Sequence, residues 1–540
     1  MKKTILISAL LLATFFLQAQ DKSSRAFDFG KWTRIHSAVL QELNRSYVDS
    51  LPIGRLVQSG IDAMLSQLDP YTVFVPEDRN EDFEMMISNT YGGIGAVIYK
   101  PDKQGNVIIN EPYENAPAHR YGLRCGDEIM AIDGVSVHGL DTKACSDRMK
   151  GKPGTSVVFH VKDVRTGGEK DITVVRERIH LPDIEYSGMV DDTTGYALLT
   201  GFTEGVSKEL AARIKALKAQ GMKQFVLDLR GNGGGLMHEA VDIVGLFVPK
   251  GTVVVTARGS SAEAVQTYAT SSEPLDTALP LIVLVDSASA SSSEIVAGSL
   301  QDLDRATIMG ARTFGKGLVQ SVRPLPFGAQ LKVTIAKYYT PSGRCVQAID
   351  YSRRNEDGSV GHIPDSLTHA FKTAHGRTVR DGGGITPDVT LKGHEYSRLT
   401  YSLVVHGVTE QYVLDYVRRH ESIAPLADFH FTDADYEDFI TFAKNKEFDY
   451  RSGALAQFDQ MRATLAKDGL EEQMSAQLDA LHKALEMDKE TFLRLKKTEI
   501  VPILEEEIAV RYYFQPAGVQ VRLRYDTALR EALRSPKISY

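Results

Sequence analysis

Two short segments of the chain carry residues that could do chemistry. The first, 287–294, is rich in serine, follows an apolar run and opens a helical pattern. The second, 313–317, sets one lysine between two glycines. A hydroxyl at an exposed turn and an amine that can be held neutral are what a serine hydrolase with a lysine base requires. The pair therefore predicts nucleophilic catalysis by a serine.

Spacing distinguishes one of the five serines in the first segment from the others. Ser291 and Glu294 have Ser-x-x-Glu capping-box spacing, which places Ser291 at a helix N-terminus, where the helix dipole favours developing negative charge. The next amide, from Ser292, would point the same way and could stabilise an oxyanion. A helix cap with no catalytic role is the competing interpretation of Ser291.

Lys316 must be neutral to accept a proton from a serine. Free lysine titrates near pH ~10.4, and burial among apolar groups lowers that value. We expect the side chains of Phe314 and Leu318 to form the apolar wall. An ordinary solvated lysine is the alternative.

Two residues are candidates for orienting the lysine. Gln320 lies four residues after Lys316, a spacing that makes side chains neighbours on a helical turn but leaves them ~13 Å apart along a strand. Asp302 lies eleven residues after Ser291, which is ~16 Å along a continuous helix. Geometry favours Gln320, and with it a helical turn at 316–320. Asp302 is expected to support the fold.

The glycine run at 233–235 is the expected source of a second oxyanion donor, and we choose Gly234. A phosphate-cradling loop is the competing reading, but the lysine and hydroxyl of a Walker motif are missing. His238 follows this run, and no supporting motif surrounds it. We expect a surface or packing histidine there.

The elements that must position these residues follow an α/β pattern from Gly195 onward. Buried strands are predicted at 224–229 and 281–285, each followed by a tight turn and a helix. This arrangement places functional groups beyond the carboxyl ends of strands. Helical patterns are predicted before it, at about 26–88, and after it, at about 395–540.

A smaller unit at 91–177 resembles a PDZ domain. Gly93, Ile94 and Gly95 stand at the loop that would hold a peptide carboxylate, because glycine lets backbone N–H groups approach an anion. An extended peptide would pair with the adjacent strand edge. A closed β-rich module without a ligand is the alternative.

Taken together, the blocks resemble the carboxyl-terminal processing, or tail-specific, proteases of serine peptidase family S41. In that family the catalytic serine lies 25 positions before the catalytic lysine, and counting back from Lys316 gives Ser291. The family usually has alanine at the position of Ser292. Both Gln320 and Asp302 match residues that the family uses or has been argued to use. The matching blocks are 68–71, the PDZ unit, 228–235, 313–320, 337–344 and 384–388.

The resemblance implies a multidomain fold of α/β and α+β parts. It consists of a ClpP/crotonase-like protease core with an inserted PDZ domain and helical N- and C-terminal regions. The expected divisions are a signal peptide at 1–19, an N-terminal helical region at 26–90, the PDZ domain at 91–177, the core at 178–392 and the C-terminal region at 393–540. The resemblance does not extend to that last region, where a dimerisation element, a cap over the core and a docking surface all stay open.

Composition and the N-terminal sequence restrict the class of protein and its expected location in the cell. The 540 residues predict two to four domains, and the net charge of -8 with no long basic run argues against nucleic-acid binding. A charged start, an apolar run and Ala19 form the pattern of a secretory signal peptide, so we expect export to a periplasm. Three cysteines, Cys125, Cys145 and Cys345, fit no zinc or redox pattern and are expected to be filler.

The sequence thus predicts an exported serine endopeptidase that binds protein C-termini through its PDZ domain and cuts near the tail. No metal or cofactor is implied. An adaptor protein, a homo-oligomer and membrane association stay open. The alternative is a non-catalytic PDZ scaffold on a protease-like fold.

Overall fold

The structure is a computed structural model that describes residues 26–535, except 81, 82, 84, 86, 87, 102–104, 262, 356, 394, 395, 450, 451 and 487. The signal peptide predicted at 1–19 lies outside the described residues. Among the described helices, none is both long and apolar enough to span a membrane.

The chain divides into two compact units, Met1–Phe74 and Val75–Tyr540. In the first, residues 26–46 (α1) and Ile53–Leu65 (α2) are helical, as predicted. The prediction of helix as far as 88 is wrong in part, because Val73–Val75 (β1) is a strand. Asp69 shows where the helical pattern ends: its Oδ1 accepts hydrogen bonds from the N–H groups of Tyr71 and Thr72 and closes a turn.

The second unit opens with a small β-rich module. Strands β2 (Thr90–Gly93) and β9 (Glu177–His180) pair antiparallel and bring its two ends together. Between them lie β3 (Ala96–Tyr99), β4 (Val107–Pro112), α3 (Pro117–Arg120), β5 (Glu128–Ile132), β6 (Val135–Ser136), α4 (Thr142–Met149), β7 (Ser156–Lys162) and β8 (Glu169–Val175). Their sheet has the order β3-β4-β5-β7-β8, with β6 on β5, so β3 lies at an edge.

The core of the second unit combines two sheets. Its elements are β10 (Ile184–Met189), β11 (Thr194–Leu199), α5 (Val206–Ala219), β12 (Gln224–Asp228), α6 (Met237–Gly245), β13 (Val253–Arg258), β14 (Val265–Ala269), β15 (Leu281–Val285), α7 (Ser292–Asp302), β16 (Thr307–Gly310), β17 (Leu318–Pro324), β18 (Gln330–Tyr339), β19 (Ile349–Arg354), β20 (Val360–His362), β21 (Ala370–Lys372), β22 (Thr378–Arg380) and β23 (Val389–Thr390). The main sheet has the order β10-β11-β12-β15-β16-β23 and is parallel from β11 onward. In the second sheet, β18 pairs antiparallel with β17 and β13, and β13 with β14.

The main sheet is buried on both faces. Every residue of β11 and β15 is buried, which explains their continuous apolar runs, since parallel strands need both faces covered. Helices α5, α6 and α7 supply one cover. The other includes Val519, Leu529 and Ala532 from the C-terminal region.

The C-terminal region is helical, as predicted. Its helices are α8 (Arg398–Val405), α9 (Val408–Arg419), α10 (Asp433–Ala443), α11 (Gly453–Lys467), α12 (Glu471–Leu485), α13 (Lys489–Leu495), α14 (Lys497–Tyr525) and α15 (Thr527–Arg534). The long helix α14 is kinked at Phe514, where φ is 64°.

This region contacts both other parts of the second unit. On the β-rich module, Arg511 donates to Oδ1 of Asn110 at 3.0 Å, and Gln515 donates to Oε2 of Glu111 at 2.6 Å. Cys125, expected to be filler, is buried against Leu414 and Val417 of α9. On the core, Asp526 accepts a hydrogen bond from Arg230 at 2.6 Å. The helices therefore hold the module and the core in one arrangement.

Candidate active site

A cavity of about 600 Å³ joins the serine, lysine and glycine segments, and we call it the Ser291 cavity. Its wall comes from both sheets, the start of α7 and the glycine loop after β12. The lining residues are Phe83, Asn89, Thr200, Gly201, Phe202, Thr203, Gly233, Gly234, Gly235, Leu236, Met237, Ser291, Ser292, Ile295, Lys316, Leu318, Val319, Gln320, Val322, Lys332 and Tyr338.

Ser291 lies in a strained turn between β15 and α7. It is the N-cap residue of α7, as predicted, and its backbone has φ 58° and ψ −113°. A non-glycine residue in this conformation costs about 1–3 kcal/mol, and such residues cluster at functional sites. A strained strand-to-helix turn is also how hydrolases expose a nucleophilic serine above a sheet.

The other serines of the segment have structural partners or are exposed. The hydroxyls of Ser289, Ser292 and Ser293 donate to the backbone carbonyls of Leu229, Gly235 and Asn232 respectively, at 2.8–2.9 Å. Ser287 is exposed. Ser291 and Ser292 both line the cavity, and the Ser292 hydroxyl is already engaged, so Ser291 is the serine best placed to react.

The buried carboxylate of Glu294 links the serine and lysine segments. Its Oε2 accepts hydrogen bonds from the N–H of Ser291 at 2.9 Å and of Lys316 at 2.8 Å. Its Oε1 accepts from the N–H of Gly315 at 2.7 Å and from the hydroxyl of Thr313 at 2.6 Å. Burial raises the pKa of this carboxyl, against the opposing effect of these four donors. Sequence reasoning predicted only the local bond to Ser291; the capping spacing gave no signal for the contacts 19 to 22 residues away.

Lys316 is half-buried and lines the cavity, but its predicted surroundings are partly wrong. Leu318 is buried in the wall, whereas Phe314 is 45% exposed and is not a lining residue. The N–H of Phe314 donates to the carbonyl of Ser289 at 3.0 Å, which ties its backbone to the serine loop. Apolar neighbours along the cavity come instead from Ile295 and Val319.

The helical turn expected at 316–320 does not form. The N–H of Gly317 donates to Oε1 of Gln347 at 2.7 Å, and β17 begins at Leu318 in register with β18. Gln320 nevertheless lines the cavity, next to a β-bulge at Val319 and Gln320. A bulge re-aims side chains, so the strand presents Gln320 to the cavity without a helix. The Gln320 amide donates to the hydroxyl of Thr334 at 3.2 Å.

Gly234 brings the glycine loop against the serine turn. Its φ is 100°, and a Cβ at this position would lie 2.7 Å from the Cβ of Ser291 and 2.9 Å from the N of Ser292. Only glycine permits this approach. The N–H of Gly234 donates to Oδ1 of Asn232 at 2.8 Å. The amide chosen from the sequence as an oxyanion donor therefore already has an acceptor in this structure.

Asp302 lies at the opposite end of α7 and does not line the cavity. Its carboxylate accepts hydrogen bonds from the Thr340 hydroxyl at 2.5 Å and the Ser342 N–H at 3.0 Å, and it forms a buried ion pair with Arg344 at 2.8 Å. These contacts hold the turn after β18. His238 is exposed, with Nε2 3.0 Å from Oε2 of Glu204.

The predicted carboxylate-binding loop borders a second, smaller cavity of about 190 Å³, the PDZ pocket. Ile94 lines it, between Gly93 at the end of β2 and Gly95 before β3. The remaining lining residues come from β2, β3, α4 and the residue after it, the loop after β4, and the segments before β2 and after β9. They are Met85, Tyr91, Ala96, Ile98, Tyr113, Ser146, Met149, Lys150 and Leu181.

Comparison with known protein families agrees with this architecture. The sequence model of Peptidase family S41 matches residues 193–352, which contain the candidate serine, lysine and glutamine. A PDZ domain model matches residues 108–163. A third, described as "Probable PDZ-protease, C-terminal helical domain", matches residues 399–535.

Individual proteins are similar to parts of this chain. The chain is 33% identical over 349 residues to a probable CtpA-like serine protease of Staphylococcus aureus (strain COL), covering 64% of this chain and 68% of that protein. It is 34% identical over 316 residues to the carboxy-terminal-processing protease of Bartonella bacilliformis, covering 58% of this chain and 71% of that protein. Among solved structures, the photosystem II D1 C-terminal processing protease aligns over 65% of this chain and 91% of its own, at 25% identity and a TM-score of 0.35.

The matched families thus define a serine-type peptidase with a PDZ domain and a helical C-terminal region. The chain belongs to peptidase family S41, and its relatives include a probable CtpA-like serine protease and a carboxy-terminal-processing protease.

Proposed function

We propose that Ser291 attacks the scissile carbonyl of a peptide while Lys316 takes the serine proton as general base. Lys316 then returns that proton to the leaving amine, and water releases the acyl-enzyme by the same steps. The observation that carries the proposal is the carboxylate of Glu294, one oxygen of which binds the backbone amides of both residues, at 2.9 and 2.8 Å. A shared acceptor fixes the spacing of nucleophile and base.

Backbone amides would stabilise the oxyanion. The Ser292 amide directly follows the nucleophile at the N-terminus of α7, where the helix dipole favours negative charge. Gly234 is the second donor that we propose, and it can act only after its N–H leaves Oδ1 of Asn232. Its packing against Ser291 keeps that amide within reach of the reacting carbonyl.

Gln320 is the proposed third member of the site. It shares the cavity lining with Ser291 and Lys316, whereas Asp302 is occupied with Thr340, Ser342 and Arg344. A neutral amide can hold a lysine amine in place without adding a charge that would favour its protonated form. Asp302 would then support the fold.

The substrate that we propose is a protein or peptide with an apolar C-terminus. The free edge of β3 offers backbone groups for strand addition, and the PDZ pocket beside it is lined by apolar side chains such as Ile94, Ile98 and Met149. The amides of the Gly93–Ile94–Gly95 loop would hold the terminal carboxylate.

Contacts at the junction of module and core support coupling between the two cavities. Leu181 lines the PDZ pocket, and two residues later the buried carboxylate of Asp183 accepts hydrogen bonds from Asn89 at 2.8 Å and from the Thr203 hydroxyl. Asn89 and Thr203 line the Ser291 cavity. We propose that a bound C-terminus acts through Asp183 on the active site, so Asp183→Asn should lower the stimulation by a free tail. Equal stimulation of variant and wild type would contradict this.

We propose that the chain is exported and cleaved after Ala19. We also propose that its domains are divided at residues 90, 177 and 392. The support for export is the charged and apolar pattern of the first 19 residues. N-terminal sequencing of the protein from producing cells should give Gln20 first; Met1 would contradict export by cleavage. An adaptor and a homo-oligomer stay open as partners.

The test of the proposed activity uses two quenched fluorescent peptides of one sequence, one ending in a free apolar C-terminus and one in an amide. The wild-type chain should cleave both and the free tail at least about tenfold faster, because only the free tail offers a carboxylate to the PDZ loop. Binding of the free tail without any cleavage would favour the alternative, a non-catalytic PDZ scaffold. Equal cleavage of both would separate the protease activity from tail recognition.

A further inference from the structure

The Ser291 cavity has an uneven charge. Among the described residues that line it, none is acidic, and two are lysines, Lys316 and Lys332. If Lys316 works as a neutral base, Lys332 is the one charged side chain among the described lining residues. A cavity of this kind attracts negative charge.

Lys332 belongs to the same hairpin as Gln320. It lies on β18 opposite Val322 of β17, two pairs along from the Gln320–Thr334 pair. Because side chains alternate between faces, Lys332 and Gln320 share the face that lines the cavity. The two pairs are separated by about 7 Å along the strands, which is the distance between alternate side chains of an extended peptide.

Among the residues that the structure describes, none is a counter-ion of Lys332. Lys332 is half-buried, and the described residues provide no hydrogen bond or ion pair to its amine. Burial lowers the pKa of this lysine, as expected for a cation that has lost solvent. Burial makes this charge unfavourable, and a carboxylate brought by a ligand would lower that cost.

Most of the remaining side chains of the lining are apolar. Phe83, Met237, Ile295, Leu318 and Val319 surround the approach to Ser291. These side chains suit an apolar side chain of a substrate, and Lys332 is a charged residue of the same lining.

We infer that Lys332 selects substrates in which an acidic side chain lies a few residues from the scissile bond, next to an apolar residue at the cut. This inference rests on the proposed function, since it assumes that peptide is cut in the Ser291 cavity. It defines the substrate class by the residues around the scissile bond, in addition to the C-terminus that the PDZ module would bind.

The test is a set of quenched peptides with one free apolar tail and one apolar residue at the cut. Glu, Gln or Lys is placed in turn at each of the four positions on either side of the cut. Within each enzyme the ratio of kcat/KM for the Glu and Gln peptides is measured, for wild type, Lys332→Met, Lys332→Arg and Lys332→Glu. A matched control is Lys337→Met, which removes an exposed lysine of the same strand that does not line the cavity.

Wild type should prefer Glu over Gln at one position by about 10-fold or more, the range of a charge-assisted contact. Lys332→Arg and Lys337→Met should keep this preference, Lys332→Met should abolish it, and Lys332→Glu should prefer the Lys peptide. The same ratio in wild type and Lys332→Met, with both folded by their melting curves, would overturn the inference while cleavage itself still supports the proposed function. No cleavage of any peptide by wild type would overturn both.

Discussion

The two ends of helix α7 each carry a buried carboxylate, and the two are used differently. At the N-terminal end, Glu294 accepts hydrogen bonds from three backbone amides and one hydroxyl, all of them neutral donors. At the C-terminal end, Asp302 pairs with the cation of Arg344 and accepts from Thr340 and Ser342. Glu294 joins the two segments that contain the candidate nucleophile and base. Asp302 joins α7 to the turn after β18.

This difference in hydrogen-bond partners shows how one helix can support both catalysis and stability. The neutral donors around Glu294 fix the positions of the Ser291 and Lys316 backbones by hydrogen bonds alone, without a charged partner. The ion pair at the far end fixes the 340–344 turn. Removal of Glu294 should therefore lower kcat, whereas removal of the Asp302–Arg344 ion pair should lower the free energy of unfolding.

The largest effect is expected from Glu294→Ala. Three buried amides and one hydroxyl lose their acceptor, at about 1–3 kcal/mol for an unsatisfied buried group, so unfolding should become easier by about 3 kcal/mol or more. Displacement of Ser291 and Lys316 should lower kcat at least about 100-fold. Urea unfolding and peptide hydrolysis measure the two effects. Glu294→Gln, which keeps one acceptor oxygen, should have intermediate stability and intermediate kcat. Normal turnover by Glu294→Ala would contradict a catalytic role for the N-terminal end of α7.

Arg344→Met should destabilise the protein by about 3–5 kcal/mol, because it leaves the buried charge of Asp302 without its cation. The kcat of the molecules that stay folded should change by less than about threefold, since the pair does not line the Ser291 cavity. Urea unfolding gives the first value, and active-site-normalised turnover gives the second. Adding Asp302→Asn should restore part of the stability. A large fall in kcat with unchanged stability would make the C-terminal end catalytic.

Gln320→Ala should lower kcat by about 10-fold, as expected for loss of a group that orients a general base. The protein should unfold at nearly the same urea concentration, because Gln320 is only half-buried on a hairpin. Thr334→Val removes the hydrogen-bond partner of Gln320 and should have a smaller effect. If Gln320→Ala keeps normal turnover and Asp302→Ala loses it without unfolding, the assignment of the third residue is reversed.

Glu506 supplies a contrasting case, a half-buried carboxyl on α14 that lies 3.5 Å from the guanidinium of Arg522. Burial raises its pKa from 4.5 to about 7. The folded protein thus holds this proton more tightly than the unfolded chain, so its contribution to stability is full below pH ~4.5 and is lost as the pH rises through ~7. Between pH 5 and pH 8, wild type should lose about 2 °C or more of Tm relative to Glu506→Gln. Parallel melting curves would contradict this assignment.

Local patterns predicted the scaffold well. The strands at 224–229 and 281–285 and the cap at Ser291 rest on apolar runs and short spacings, and the structure has strands at Gln224–Asp228 and Leu281–Val285. The 316–320 segment was wrong because a four-residue spacing fits a helical turn, while the pairing partner that makes it a strand, β18, is set by tertiary contacts.

The contacts that assemble the site were beyond the sequence for the same reason. In the sequence, Glu294 has the pattern of an ordinary capping residue. Its hydrogen bonds to the backbones of Gly315 and Lys316 depend on the tertiary arrangement of two loops. The exposure of Phe314 and the bond of Gly234 to Asn232 are further tertiary outcomes. The contacts of α14 with the module and the core carry no local signal at all.

Ser291 is the proposed nucleophile. The most direct test measures how fast the Ser291→Ala and Ser292→Ala variants hydrolyse a protein with an apolar C-terminal tail. Both serines line the cavity and follow one another at the start of α7, so the second variant is a matched control. Ser291→Ala should fold with wild-type melting behaviour and show no cleavage above background, while Ser292→Ala, which keeps its backbone amide, should still cleave. Substantial cleavage by folded Ser291→Ala would contradict the assignment of Ser291 as the nucleophile.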